Sequence, residues 1–239
     1  LAVGQNIYTP QDTEVSEPLP DQHPYAGWLY GEYSVFAQDE NSLRMLSLQA
    51  GVVGPAAGAE WTQNNFHDVI NSYEVRGWDN QLKNEPAFAL SFARKDRALL
   101  ARAFSGVELD VLPHVGATVG NLRTEASAGA TLRVGDDLAR DFGPPRIRPA
   151  TGGGGYFEPS DGFNWYIFAG VEGRAVANNL VLDGNSFRDS LGVDSVPFVG
   201  DLQAGIVFQY NRVQLAWTYV ARTREFSEQE EMQRFDDIS

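Results

Sequence analysis

Leu29-Tyr30-Gly31-Glu32-Tyr33-Ser34-Val35-Phe36-Ala37-Gln38 changes side at every residue. Leu29, Gly31, Tyr33, Val35 and Ala37 fall on one face of an extended chain. Tyr30, Glu32, Ser34, Phe36 and Gln38 fall on the other. A period of two is the signature of a strand, because successive side chains leave the backbone on opposite sides. The pattern recurs along the chain: Leu46-Leu48-Ala50-Val52, Phe88-Leu90-Phe92, Val107-Leu109-Val111 and Ala128-Ala130-Leu132-Val134. It returns in Trp165-Ile167-Ala169-Val171, Leu202-Ala204-Ile206-Phe208-Tyr210 and Val213-Leu215-Trp217-Tyr219. In each, one face is apolar and the alternate residues are Gly, Ala, Ser, Gln, Thr or a charge. The chain reads as all-β. Alternation alone suits both a transmembrane barrel and a soluble β-sandwich.

Three further features point to an outer-membrane barrel. The non-apolar face is small and hydrophilic, as for a filled or wet lumen. Aromatic residues sit near strand ends (Tyr25, Trp28, Tyr30, Phe163, Trp165, Tyr166, Tyr210, Trp217, Tyr219), as interfacial girdles require. Short turns such as Tyr210-Asn211-Arg212 alternate with long polar connections. No run of about 18 apolar residues exists, so no helix spans a membrane. A β-barrel needs no such run.

Composition narrows the function. The 239 residues hold 18 Lys+Arg against 32 Asp+Glu, a formal charge of −14, which argues against a nucleic-acid partner. The absence of cysteine removes disulfide scaffolds, thiolate metal sites and Cys nucleophiles. No protein partner is implied. The chain does not open on Met or on a signal peptide. Leu1–Tyr8 reads as the end of a strand and Phe235–Ser239 as the beginning of one. The expectation is a fragment of a longer mature chain, forming one barrel domain over 1–239.

Two connections break the strand pattern. Residues 55–71 read as a helix in a loop, with Pro55 in its first turn and Trp61, Phe66, Val69 and Ile70 as apolar positions. Residues 135–162 read as a long polar loop carrying Gly143-Pro144-Pro145 and Gly152-Gly153-Gly154-Gly155. The glycines lack the following Lys of a phosphate loop. The helix carries the one arrangement suited to chemistry. Gln63 and His67 are four residues apart, so they share a helix face. A His can serve as general base near neutral pH, and a neighbouring Gln can donate to a developing oxyanion. Glu74 follows closely enough to orient the imidazole. A packing or surface role is the commoner fate of a lone His, and it is the reading for His23 and His114. Arg94, Lys95, Arg97 and Arg102 form a basic cluster, either a solvated turn or a site for anionic headgroups.

Five segments together resemble the LpxR family of outer-membrane lipid A 3'-O-deacylases. They are Gln5–Pro10, Pro24–Tyr30, Gly54 through Gln63 and His67 to Leu82, Gly120–Leu122 with Asp141–Pro144, and Leu182–Arg188 with Arg222–Phe226. They span nearly the whole chain in the family's order. The resemblance implies an antiparallel barrel of about twelve strands, with strands preceding Leu1 and a short helix in an extracellular loop. It implies a bacterial outer-membrane location and a lipid A or lipopolysaccharide substrate. The implied reaction is Ca²⁺-dependent hydrolysis of the 3'-linked acyloxyacyl ester, at a site between the barrel wall and the loop helix. His67 matches the family's catalytic His, and Gln63 a site Gln one helical turn earlier.

Departures from the family pattern are specific. The Asn-Asp calcium motif is expected upstream of Leu1. The family's site Lys has no counterpart after Ile7-Tyr8-Thr9-Pro10, where Glu14 and Val15 stand nearby. Tyr73 holds the place of the family's acidic residue, and Glu74 follows it. The alternatives to a lipid A esterase are a non-catalytic barrel of the same fold and a soluble β-sandwich binding module.

Overall fold

A computed structural model describes residues 1–102, 106–143 and 157–239. The strands are β1 (Ala2–Tyr8), β2 (Ala26–Gln38), β3 (Ser42–Val53), β4 (Glu85–Asp96), β5 (Leu99–Arg102) and β6 (Glu108–Val119). They continue as β7 (Arg123–Gly135), β8 (Ser160–Asn179), β9 (Phe198–Asn211), β10 (Val213–Arg222) and β11 (Gln233–Ile238). All join one curled antiparallel sheet in chain order, with short β5 beside β6. Every alternating segment seen in the sequence lies in one of these strands, except that Val107 stands one residue before β6.

Burial shows which face points where, and it is inside out relative to a soluble protein. Leu46, Leu48, Phe88, Leu90, Phe92, Ile167, Val171, Leu202 and Leu215 are all exposed on the outer wall. Their alternates Ser47, Gln49, Ser91, Ser127, Thr131, Gln209 and Thr218 are buried inside. Water would penalise such a wall heavily, and a bilayer stabilises it, because apolar area is favoured out of water. This excludes the β-sandwich.

The girdle of aromatics is a partial match. Phe163, Tyr210, Trp217 and Tyr219 face outward. Tyr25, Trp28, Tyr30 and Tyr166 are instead buried. Trp28 and Tyr30 stack at 4.2 Å on the lumen side, packed with Val53, Leu82, Leu122 and Leu180. Trp28, Tyr30 and Tyr166 share the parity of the small polar residues. Sequence order near a strand end does not reveal that an apolar cluster fills the lumen there.

One end of the barrel gathers the connections 9–25, 54–84, 120–122, 180–197 and 223–232. The other gathers, among the described residues, 39–41, 97–98, 106–107, 136–143, 157–159 and the single residue Arg212. Short and long connections therefore occur at both ends and do not simply alternate. Of the loop foreseen at 135–162, Gly135 and 160–162 belong to strands, Leu138–Arg140 is a 3-10 turn, and 144–156 lie outside the described residues, Pro144-Pro145 and the four-glycine run among them.

The described part of that loop is held in the lumen by charge. Arg133 of β7 is fully buried and pairs with Asp110 of β6 and Asp141. Asp141 also accepts from Tyr166 Oη at 3.0 Å and Gln209 Nε2 at 2.7 Å. The basic cluster of the sequence serves this end. Arg97 donates to the carbonyls of Leu138, Ala139 and Asp141, and Lys95 donates to Phe142 O at 3.0 Å. Arg94 pairs with Asp96. Only Arg94 is solvated as the sequence suggested, and the side chain of Arg102 lies outside the described residues.

Candidate active site

The helix foreseen at 55–71 is two elements. Pro55–Ala57 forms a 3-10 turn, and α1 spans Ala59–Val69. Gly58 divides them in the left-handed region at φ 69°, which a side chain would strain. α1 lies against the outside of the barrel wall. Gln5, which shares the outward parity of exposed Leu29, donates from Nε2 to Ala57 O at 2.6 Å. Ile7 packs on a cluster of Tyr25, Ala59, Val75 and Trp78. A Cβ on Gly27 would stand 2.5 Å from the Ala59 methyl, so Gly27 permits the close approach. The same two strands thus carry an apolar cluster on each face, one lining the lumen and one beneath α1.

The end of α1 aims the catalytic candidate. Ser72 N donates back to His67 O at 2.8 Å after Asn71, which holds φ at 54°. Asn tolerates this left-handed turn better than most residues. The reversal brings the main chain of 72–77 back along the helix. Asn64 fixes it there: Val75 N donates to Asn64 Oδ1 at 3.2 Å, and Asn64 Nδ2 donates to Val75 O at 3.4 Å. Loop 9–25 braces the segment, since Arg76 N and Tyr25 Oη both donate to Thr13 O.

His67 is half-buried, and its Nδ1 lies 2.7 Å from Tyr73 O. A carbonyl only accepts, so in the neutral ring Nδ1 carries the hydrogen and Nε2 carries the lone pair. The Tyr73 ring meets the imidazole edge-on at 5.2 Å. Gln63 Oε1 accepts from Trp78 Nε1 at 3.0 Å. That contact fixes the amide's orientation and turns its two N–H groups elsewhere. Gln63 and His67 are thus brought together as the helical spacing required. Glu74, expected to orient the imidazole, is exposed and pairs with Arg76 at 3.7 Å. The orienting contact is made by the Tyr73 carbonyl instead. Sequence reading missed it because every residue carries a carbonyl and no residue type advertises its direction.

The other histidines are structural. His114 is buried in the lumen, 3.4 Å from Glu172. His23 stacks on Tyr8 at 5.5 Å, and burial lowers its pKa although the nearby Pro24 carbonyl opposes this. The sequence motif around 182–188 proves to be a clasp. Glu85 accepts from Asn185 Nδ2 at 3.0 Å and from the Ser186 amide. Asp183 accepts from the Asn179 amide at 2.6 Å.

Among the described residues, no group of three or more His, Asp or Glu side chains is placed to hold a metal ion. Calcium takes about six to eight oxygens. The donors around His67 do not fit one unaided: the Tyr73 carbonyl faces Nδ1, Gln63 Oε1 faces Trp78, and Glu74 faces Arg76.

A curled antiparallel wall with an apolar outside and a helix mounted on that outside defines an outer-membrane β-barrel protein. Within that class, the model of the family described as "Outer membrane protein LpxR" matches residues 1–239, and the chain belongs to this family of the bacterial outer membrane. Among solved structures, LpxR from Salmonella typhimurium superposes with a TM-score of 0.85 at 23% identity, covering 99% of this chain and 79% of that one. No curated protein matches the chain.

Proposed function

We propose that this protein is an outer-membrane ester hydrolase that removes the 3'-linked acyloxyacyl chain of lipid A. The observation that carries the reading is the paired geometry of His67 and Gln63 on the face of α1 that meets the wall. His67 Nε2 accepts a proton from a water, and the Tyr73 carbonyl stabilises the resulting imidazolium through Nδ1–H. The water oxygen attacks the ester carbonyl. Gln63 Nε2, whose amide is held by Trp78, donates to the oxyanion. His67 then returns the proton to the leaving alkoxide. Calcium belongs to the proposal as an expectation from the resemblance, and its signature is sensitivity to EDTA.

The test uses the full mature protein refolded in detergent, lipid A, and Ca²⁺ or EDTA, with mass spectrometry following the lipid. Loss of an acyloxyacyl mass with Ca²⁺ alone supports the reading. Unchanged lipid beside a heat-modifiable, folded barrel overturns it. That outcome favours the second reading, a non-catalytic barrel. The observation on its side is Tyr73 in the acidic position with Glu74 turned to Arg76.

A further inference from the structure

The helix α1 has more apolar surface on its outside than a loop in water keeps. Trp61 is 72% exposed, Phe66 60%, Val69 82% and Ile70 54%. Residues four apart form ridges along a helix, and α1 divides into four of them. Ala59-Gln63-His67 faces the wall and the site. Glu60-Asn64-Asp68 is polar, and its middle member holds the returning segment at Val75. The two remaining ridges, Trp61-Asn65-Val69 and Thr62-Phe66-Ile70, carry all four exposed apolar side chains.

These ridges are continuous with the lipid-facing wall. α1 rests on the outward side of β1 and β2 through Gln5, Ile7 and Gly27. Below it on β2 the same outward parity continues as Leu29, Tyr33 and Val35, all exposed. A helix mounted there, with a Trp and aliphatic residues on one side and carboxylates on another, has the make-up of an interfacial helix. The site lies between that helix and the wall.

We propose that the Trp61 and Phe66 ridges of α1 are embedded in the headgroup–acyl boundary of the bilayer. The helix then holds His67 at the depth of an ester bond, and the substrate needs no extraction from the leaflet. The depth argument for His67 rests on the esterase reading, whereas the embedding rests on the fold alone.

The lack of cysteine makes the test direct. Single variants Phe66→Cys, Val69→Cys, Glu60→Cys and Asp68→Cys of the full barrel are spin-labelled. Each is reconstituted in vesicles of phosphatidylethanolamine and phosphatidylglycerol. Collision with dissolved oxygen reports lipid, and collision with a water-soluble nickel chelate reports water. The expected result is an oxygen-to-nickel ratio severalfold higher at positions 66 and 69 than at 60 and 68. Equal ratios at all four positions overturn the proposal. Shielding of 66 and 69 from both probes also overturns it, since protein rather than lipid would then cover the face. The readout involves no catalysis, so an inactive barrel with lipid-type ratios separates failure of the esterase reading from failure of this one.

Discussion

The charge lock around Arg133 and the site around His67 are held together in different ways. At the end opposite α1, a buried arginine is gripped by two aspartates, and four side chains converge on Asp141. At the α1 end, the site is assembled from neutral contacts: a main-chain carbonyl, two amide side chains and a packed aromatic pair, Tyr25 and Trp78, at 5.0 Å. Buried charges are rigid because separating them leaves an uncompensated ion. Neutral contacts of about 1 kcal/mol each can be exchanged singly. The α1 end has buried ions of its own, Arg174 and Arg222 with Asp201 and Glu225, so it is the surroundings of His67, rather than that whole end, that are built from parts able to adjust to a substrate.

If the ends are separable, variants should split cleanly between activity and stability. The largest effect is expected for His67→Ala. Deacylation should fall by about 10²–10⁴-fold, the usual contribution of a general base, with unchanged heat-modifiable migration. Full activity in this variant would remove His67 from the mechanism. Gln63→Ala should cost on the order of 10²-fold if its amide serves the oxyanion. Arg133→Leu leaves Asp141 without a cation and Asp110 with only Arg97, at 3.5 Å, and should destabilise the barrel by about 3–5 kcal/mol, measured by urea unfolding in vesicles. Its turnover per folded molecule should match the parent. A matching loss of turnover would show that the ends are coupled.

A fourth variant probes the seat of α1 itself. Gly27→Leu places a side chain where even a Cβ would meet Ala59 at 2.5 Å. Lifting the helix should reduce turnover on the order of 10²-fold, as displacement by about 1 Å can, while barrel folding persists. The smallest effect concerns His23, whose pKa burial lowers. Above about pH 6.5 the ring is neutral whether folded or not, so stability is indifferent to pH. As the pH falls below that, the unfolded segment binds the proton and the folded one resists it, so stability declines. Hydrogen exchange of loop 9–25 should accelerate across this window, and His23→Gln should flatten the dependence.

Much of this was legible in the sequence, for reasons that differ from element to element. The strands showed because lipid and lumen enforce alternation over the full length of β2, β4 or β10. The pairing of Gln63 with His67 showed because helical spacing is local. Parity at the rims did not show: Trp28 and Tyr30 are aromatic, and nothing in their type distinguishes a lipid girdle from a lumen cluster. The charge lock was hidden because Asp110 and Arg133 meet through the register of β6 on β7, and Asp141 joins them through the inward fold of a loop, neither of which shows in the residue types. Glu74 was a reasonable candidate by distance along the chain, but the left-handed turn at Asn71 presents the preceding carbonyl to the ring instead.

That carbonyl has an evolutionary consequence. An orienting carboxylate can be deleted by one codon change. A main-chain oxygen survives any substitution at its own position, provided the path of the chain is kept. A change of side chain at position 73 therefore leaves the imidazole the partner that sets its tautomer, as long as the chain keeps its path. Selection on the orienting function would fall on Asn71 and Asn64, which shape the path, rather than on the residue that supplies the atom.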